Sequence, residues 1–488
     1  MRATADIRAL TPDMGAQVTD TIDAKELGQP GSRTRLRGSL GVASIVFIVV
    51  AAAAPLGVIG GTAPLGIALG NGSGFALSYL VVTVILLLFA VGFTAATPHV
   101  RQAGAFYSYV EKGLGRSAGL AAAFVALVAY VTIEIGQYGL IGPGISAVST
   151  SFGVPEIPWW AGGIVVFGIV TFLAYRNINL SSKILAVLLI SELLIVLIFD
   201  AFVVFGGHTP EGLSRVIYSP VEFLQGSVAV GLLLAFLSFL GFEATAIFRD
   251  EAKDPDRTIP RATYIALLLV GAFYAVSAWA LVSAYGDASI LQSAQDHPGS
   301  LFSDAVHAYV GRVGEHAGLI LFVTSEFACI LSFRNIASRY FFALGARGVL
   351  PTVLGRAHDR HGSPHASSVL TAGLVALAIA VSALLQLDAI TQVYTWFAGF
   401  AAVGIVVLLV LTSVAVIVLF RRRGEPATSW RTSIAPSLGL VGLIVVLLLV
   451  VLNLNTLTGS TVVSAIVIGT LAAAVLAGVL TSRRTRVS

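Results

Sequence analysis

Charge is what this sequence has least of. Only 11% of its 488 residues are Asp, Glu, Lys or Arg, against about 25% in a soluble globular chain. A soluble chain of this length would form about three domains with polar surfaces. There are too few polar side chains here to cover them. A soluble enzyme, a disordered chain and a nucleic-acid binder are excluded. A single cysteine, Cys329, excludes an internal disulfide framework. Lysine is scarce, with 4 against 25 arginines, which together with abundant Ala, Gly and Val suggests a GC-rich, bacterial genome. Residues 1–38 hold no apolar run. They read as a disordered tail without a cleavable signal peptide. No glycine-rich nucleotide loop occurs, so ATP drive and a cofactor are not expected.

What is present is apolar. Hydrophobic residues make up 57% of the chain, and the mean hydropathy is +0.91. A spanning helix needs about 20 mostly apolar residues. Twelve segments meet that need: 39–69, 74–96, 117–146, 158–175, 182–206, 226–248, 262–284, 314–343, 368–386, 391–420, 433–454 and 459–481. Barrel strands would give runs of about ten residues with alternating polarity. These runs are longer and continuous, so the expected fold is all-α, a polytopic helical membrane protein with twelve transmembrane helices.

Lys and Arg concentrate in cytoplasmic loops. Twelve spans put both termini on one side, and 27 of the 29 basic residues fall there, leaving Arg215 and Arg312 opposite. The split predicts cytoplasmic termini in the inner membrane. Arg421, Arg422 and Arg423 read as a topogenic cluster in contact with anionic lipid.

Proline and glycine inside a span free backbone groups that lipid cannot satisfy, so they mark backbone that lines a cavity. The first span holds Ala54-Pro55-Leu56-Gly57-Val58-Ile59-Gly60-Gly61, followed by Pro64. The sixth holds Phe236-Leu237-Ser238-Phe239-Leu240-Gly241-Phe242-Glu243. The plainer alternative is that such glycines let helices pack closely, which suits Gly66 and Gly119. It does not explain the prolines, which remove hydrogen bonds that packing has no need to lose. Two breaks five spans apart point to a transporter built from two inverted five-span repeats, with spans 11 and 12 additional. Helix N-termini at a break offer N–H groups to a carboxylate, and freed carbonyls attract an ammonium. Phe236, Phe239 and Phe242 are the expected pocket wall or gate.

Residues 236–261, with Arg249-Asp250-Glu251-Ala252-Lys253-Asp254-Pro255 and Ile259-Pro260-Arg261, resemble the sixth-span signature of the amino acid–polyamine–organocation superfamily. Ala103-Gly104-Ala105-Phe106-Tyr107-Ser108-Tyr109-Val110, with Gly113 and Gly115, is similar to that family's loop before span three. Asn335-Ile336-Ala337-Ser338-Arg339 and Gly345-Ala346-Arg347-Gly348-Val349-Leu350-Pro351 resemble its span-eight exit. The resemblance covers roughly residues 40–420. It implies a leucine-transporter-like fold, alternating access, and a substrate site at residues 54–61 and 236–243. It also places span three near that site, where Gln137 matches a polar position used by some members. Many proton-coupled members carry a lysine in span five. Aligned from Ser181-Ser182-Lys183, that position here is Glu192, so lysine-based coupling does not carry over unchanged. The implied organisation is a tail at 1–38, a transport core at 39–420 with repeats at about 39–206 and 226–420, a loop at 421–432, two accessory helices in 433–481 and a tail at 482–488.

A buried charge in a span costs several kcal/mol, so each one is a functional hypothesis. Five carboxyls qualify: Glu134, Glu192, Asp200, Glu243 and Glu326. Glu243 and Glu192 read as proton-responsive acids. Their plainer roles are satisfying freed amides and bonding a neighbouring helix. Tyr130, Glu134 and Gln137 form one polar stripe that faces the bundle, and Glu134 is a third candidate for coupling. Ser325, Cys329 and Ser332 share a face of span eight, as cation ligands or as serines bonded back to their own helix. Glu326 lacks an evident partner, Asp200 reads as interfacial, and Arg334 reads as lying near the cytoplasmic end. His358, His361 and His365 read as a solvated loop, with no metal site.

The expected function is a permease for zwitterionic or cationic amino acids, proton-coupled or exchanging. Its expected partners are a small-molecule substrate and the lipid bilayer. An amine carrier on the same fold is the nearest rival. A six-plus-six carrier would want a long middle loop that is absent here, and a channel or nutrient sensor would lack turnover.

Overall fold

The computed structural model describes residues 40–100, 106–176, 182–243, 245, 252–358 and 363–484. The expected tail at 1–38, residues 103–105 of the loop motif, Ser181, Asp250 and Glu251 of the sixth-span signature, and His361 lie outside the described residues.

Long runs of Leu, Val, Ile and Ala with no polar partner for their backbone can satisfy it only within a helix. The described chain is accordingly helical, with isolated bridges but no strand among the described residues. The main helices are α1 (Val42–Ala52), α2 (Phe75–Ala96), α3 (Arg116–Ser151), α4 (Trp159–Arg176), α5 (Ser182–Phe205), α6 (Val228–Ser238), α7 (Pro255–Tyr285), α8 (Arg312–Ala346), α9 (His365–Leu384), α10 (Thr395–Arg422), α11 (Ala435–Leu452) and α12 (Thr461–Arg484). Among the described residues ten helical runs are long and apolar enough to cross a membrane, the first being the 58-residue run Val42–His99. Helix α7 begins at Pro255, earlier than the expected 262, because Pro255, whose missing N–H costs nothing there, occupies its first turn, and the Asp254 carbonyl accepts from the Thr258 N–H at 2.7 Å.

Helix α3 is the central post. It packs on α8, α10 and α12, while α2 packs on α7 and α11. Its inward face is buried from Gly119 to Ser146. The outer helices carry the reverse pattern. Ile164, Val165, Ile169 and Phe172 of α4, and Val187, Ile190, Leu194 and Leu197 of α5, are exposed apolar side chains. A belt of that kind has lipid as its solvent.

Two helices end inside the bundle. Helix α1 stops at Ala52, and Ala54 adopts a left-handed conformation (φ 45°, ψ 67°) that costs a residue with a Cβ. Pro55 then opens a second helical segment. Pro64 removes the hydrogen bond to the carbonyl four residues back, and the turns at Val58–Thr62 are wide, π-type turns. Helix α6 stops at Ser238, and the chain turns through Gly241, whose φ of +106° suits glycine.

Candidate functional site

The two breaks meet at one cavity. It is lined by Ala52, Ala53, Ala54, Gly57, Val58 and Thr62 of the first break, and by Leu237, Ser238 and Leu240 of the second. Ile133 and Gln137 of α3, Glu326, Cys329 and Phe333 of α8, and Tyr394 complete it. The cavity is small, about 30 Å³. Its floor is held by Tyr274, which donates to the Ala53 carbonyl at 3.0 Å. Elsewhere in the lining the Thr62 and Tyr394 hydroxyls bond each other at 2.6 Å.

The other residues expected at the first break divide. Pro55, Leu56 and Ile59 are buried and form no part of this wall. Gly60 and Gly61 line a second, apolar cavity of about 40 Å³ with Leu140, Phe302 and Phe322.

At the second break, Ser238 donates to the Leu234 carbonyl at 3.0 Å and meets the Tyr79 hydroxyl at 3.2 Å. Phe236, Phe239 and Phe242 are buried but do not line the cavity. Phe239 packs on Tyr79 and Tyr274, and Phe242 packs edge-on against Phe89. They belong to an aromatic layer between α6, α2 and α7. The Glu243 carboxylate accepts from the Gly241 N–H at 2.9 Å and from the Tyr130 hydroxyl. The freed backbone amide is therefore answered by a side chain two residues on.

The polar stripe of α3 faces the bundle, and each member has its own partner. Tyr130 holds Glu243, Glu134 forms an ion pair with Arg334, and the Gln137 amide donates to the Cys329 sulfur at 3.1 Å. Arg334 is thus fully buried within α8 rather than near its end. It also reaches Thr171 at 3.2 Å and lies over the Phe167 ring. Asp200, expected to be interfacial, is buried and accepts from Ser277 of α7 at 2.7 Å.

Glu192 of α5 accepts from Ser325 of α8 at 2.8 Å. It lines a separate cavity of about 270 Å³ with Phe47, Ala51, Ala52, Ser325, Ser332 and Asn335. Ser332 instead bonds back to the Ala328 carbonyl at 2.8 Å. The end of α1 is therefore shared, with Ala52 lining both the Glu192 cavity and the cavity of the breaks.

Sequence reasoning left Glu326 without a place. It lies in the central cavity facing Gly57, where an added Cβ would collide with its Oε1 atom. The available signal was its helical offset from Ser325, which turns it away from the Glu192 side. Tyr394 and Thr62 were missed outright, since nothing local separates them from other buried hydroxyls. The His358 ring packs edge to face on that of His365, which is not in the expected loop but opens α9.

The description of amino acid permeases matches residues 40–478 of this chain. The chain is 24% identical to the branched-chain amino acid permease BcaP of Bacillus subtilis, covering 72% of this chain and 75% of that one. It is 22% identical to the low-affinity putrescine importer PlaP of Escherichia coli K12, over 71% and 76% of the two chains. It is 24% identical to the aromatic amino acid transport protein AroP of the same strain, over 67% and 72%.

Proposed function

The chain belongs to the family of amino acid permeases, and from that membership we propose that it is a secondary active transporter moving zwitterionic or cationic amino acids by alternating access. A permease is a transporter and not an enzyme, and this one is a multi-pass membrane protein. The observation that carries the mechanism is the meeting of two interrupted helices at one buried cavity. The first N–H groups after Pro55 have no preceding turn to bond and suit a substrate carboxylate, while the carbonyls ending α1 suit an ammonium.

In this proposal the run Val42–His99 makes two crossings joined at residues 70–72, and α6 with its following turn makes one broken crossing. Twelve crossings result, arranged as inverted repeats at about 39–206 and 226–420. Segments 421–432 and 433–481 supply a loop and two accessory helices, and the tails at 1–38 and 482–488 face the cytoplasm. The basic residues support that orientation in the inner membrane.

Coupling is to a proton or a counter-substrate. Glu192 is the acid placed to link it to transport, because its cavity and the central one share the end of α1. Glu243 and Glu134 are the other coupling acids of this proposal, acting through Tyr130 and Arg334, which they hold. A second reading, carriage of organic amines, is favoured by the likeness to a putrescine importer. Uptake of labelled amino acids and amines into proteoliposomes tests the function. If none is accumulated or exchanged, the transporter reading fails.

A further inference from the structure

Glu326 is 1% exposed, and its Oε2 atom has no hydrogen-bond partner. A carboxyl so placed is costly unless something else answers it. Among the described residues no cation is paired with it. The residues lining the cavity include no Lys, Arg or His. Arg334, two turns further along α8, does not line the cavity: its Nε and Nη1 atoms hold Glu134 and Thr171, its guanidinium lies over the Phe167 ring, and only its Nη2 is unpartnered.

The rest of the wall has the same bias. The Gln137 amide donates to Cys329, which leaves its Oε1 atom without a partner. The Thr62 and Tyr394 hydroxyls are taken up with each other. Unspent acceptors therefore face the cavity with few free donors opposite them. Glu326 Oε1 also packs directly against Gly57, in the first turn after the break. That turn is where helix N–H groups would hold a substrate carboxylate. A neutral zwitterion would set its carboxylate beside Glu326, where an ionised Glu326 would put like charge against like charge in a dry site. A substrate with one more ammonium or guanidinium than carboxylate would leave the loaded site neutral.

We propose that Glu326 is the specificity-determining counter-charge of this site and that the substrate is a net-cationic organic amine, a diamine or an amino acid with a basic side chain. The proposal rests on the transporter reading and narrows its substrate class.

The test uses the full-length chain, in proteoliposomes for uptake and in detergent for ligand-induced thermal shift, with putrescine, lysine, leucine and phenylalanine as probes. Wild type is expected to take up putrescine or lysine in preference to the neutral pair. Glu326→Gln should lose about tenfold or more in kcat/KM for the cationic probes, the scale of one charge-assisted hydrogen bond, so that the ratio of cationic to neutral uptake falls by the same factor. Glu326→Asp should keep part of the cationic uptake. The proposal is overturned if wild type carries leucine or phenylalanine while putrescine and lysine are neither transported nor competing. It is also overturned if Glu326→Gln keeps the cationic preference. If the Gln variant does not fold, the wild-type preference alone decides. Should no probe be transported, a thermal shift by putrescine or lysine that Glu326→Gln abolishes upholds Glu326 and rejects transport. The absence of both rejects the two readings together.

Discussion

Arg334 and Glu134 form an ion pair from which solvent is fully excluded on both sides. It joins α8 to α3, the post on which α10 and α12 also pack. Removing one partner strands the other charge in the interior, which costs about 3–5 kcal/mol, whereas replacing both by apolar residues of similar volume is nearly neutral. Glu134→Ala and Arg334→Ala are expected to lower the thermal midpoint in detergent sharply. The double variant Glu134→Leu/Arg334→Met should recover most of the loss. Equal damage from the double variant would mean that the pair does more than neutralise itself.

Gly57 is a site of close approach. A Cβ there would collide with the Glu326 carboxyl, the far end of its side chain, and would push it out of its place in the cavity. Gly57→Ala is expected to reduce substrate uptake by about tenfold or more. Glu326→Ala in the same chain should relieve the collision, so that the two losses are not additive. Strict additivity in a double-mutant cycle would count against the contact.

Glu192→Gln is expected to flatten the pH dependence of uptake. If Glu192 carries the driving proton, wild-type uptake rises as the external pH falls from 8 to 5, and the Gln variant, which binds no proton there, does not follow. Ser325→Ala removes the hydroxyl that donates to Glu192 at 2.8 Å and should displace the wild-type profile rather than abolish it. An unchanged profile in Glu192→Gln would place proton transfer elsewhere.

Tyr130→Phe leaves the Glu243 carboxylate with the Gly241 N–H and removes its other donor. A hydrogen bond to a charged group is worth about 1.5–3 kcal/mol, and the residues it steadies form the turn after α6. A slower turnover with the chain still folded is expected, measured as initial uptake rate against the fraction that elutes as a single species.

Asp200 and Ser277 join α5 to α7 away from both breaks. Interhelical hydrogen bonds in membranes average about 0.6 kcal/mol. Ser277→Ala should therefore cost little stability and leave uptake unchanged. A marked change in uptake would make Asp200 part of the transport path.

Much of the helix pattern was legible because lipid leaves the backbone few options. An apolar run of about 20 residues in that solvent must be helical, and most helix ends fall within a few residues of the sequence expectation. The end of α6 was less legible. The apolar pattern runs on to 248, but the helix stops at Ser238, where Gly241 and the Glu243 carboxylate take over the turn. One glycine among phenylalanines is a weak signal, and the aromatic layer that fixes Phe239 and Phe242 draws on Tyr79 and Phe89, more than a hundred positions away.

The sequence by itself determined the solvent of this protein, its helical class and the position of the first break. Those properties depend on composition and on neighbours along the chain: few charges, long apolar runs, and Pro55 and Pro64 among glycines. It could also show that Glu134, Glu192, Asp200, Glu243, Glu326 and Arg334 are ionisable groups within or beside spans. Only the tertiary structure decided their pairing. It closed Glu134 on Arg334 and Asp200 on Ser277, set Glu192 against Ser325, folded Glu243 back on Gly241, and left Glu326 packed against Gly57 at the cavity. The value of a buried charge depends on what lies within a few ångströms of it, and those neighbours come from other helices.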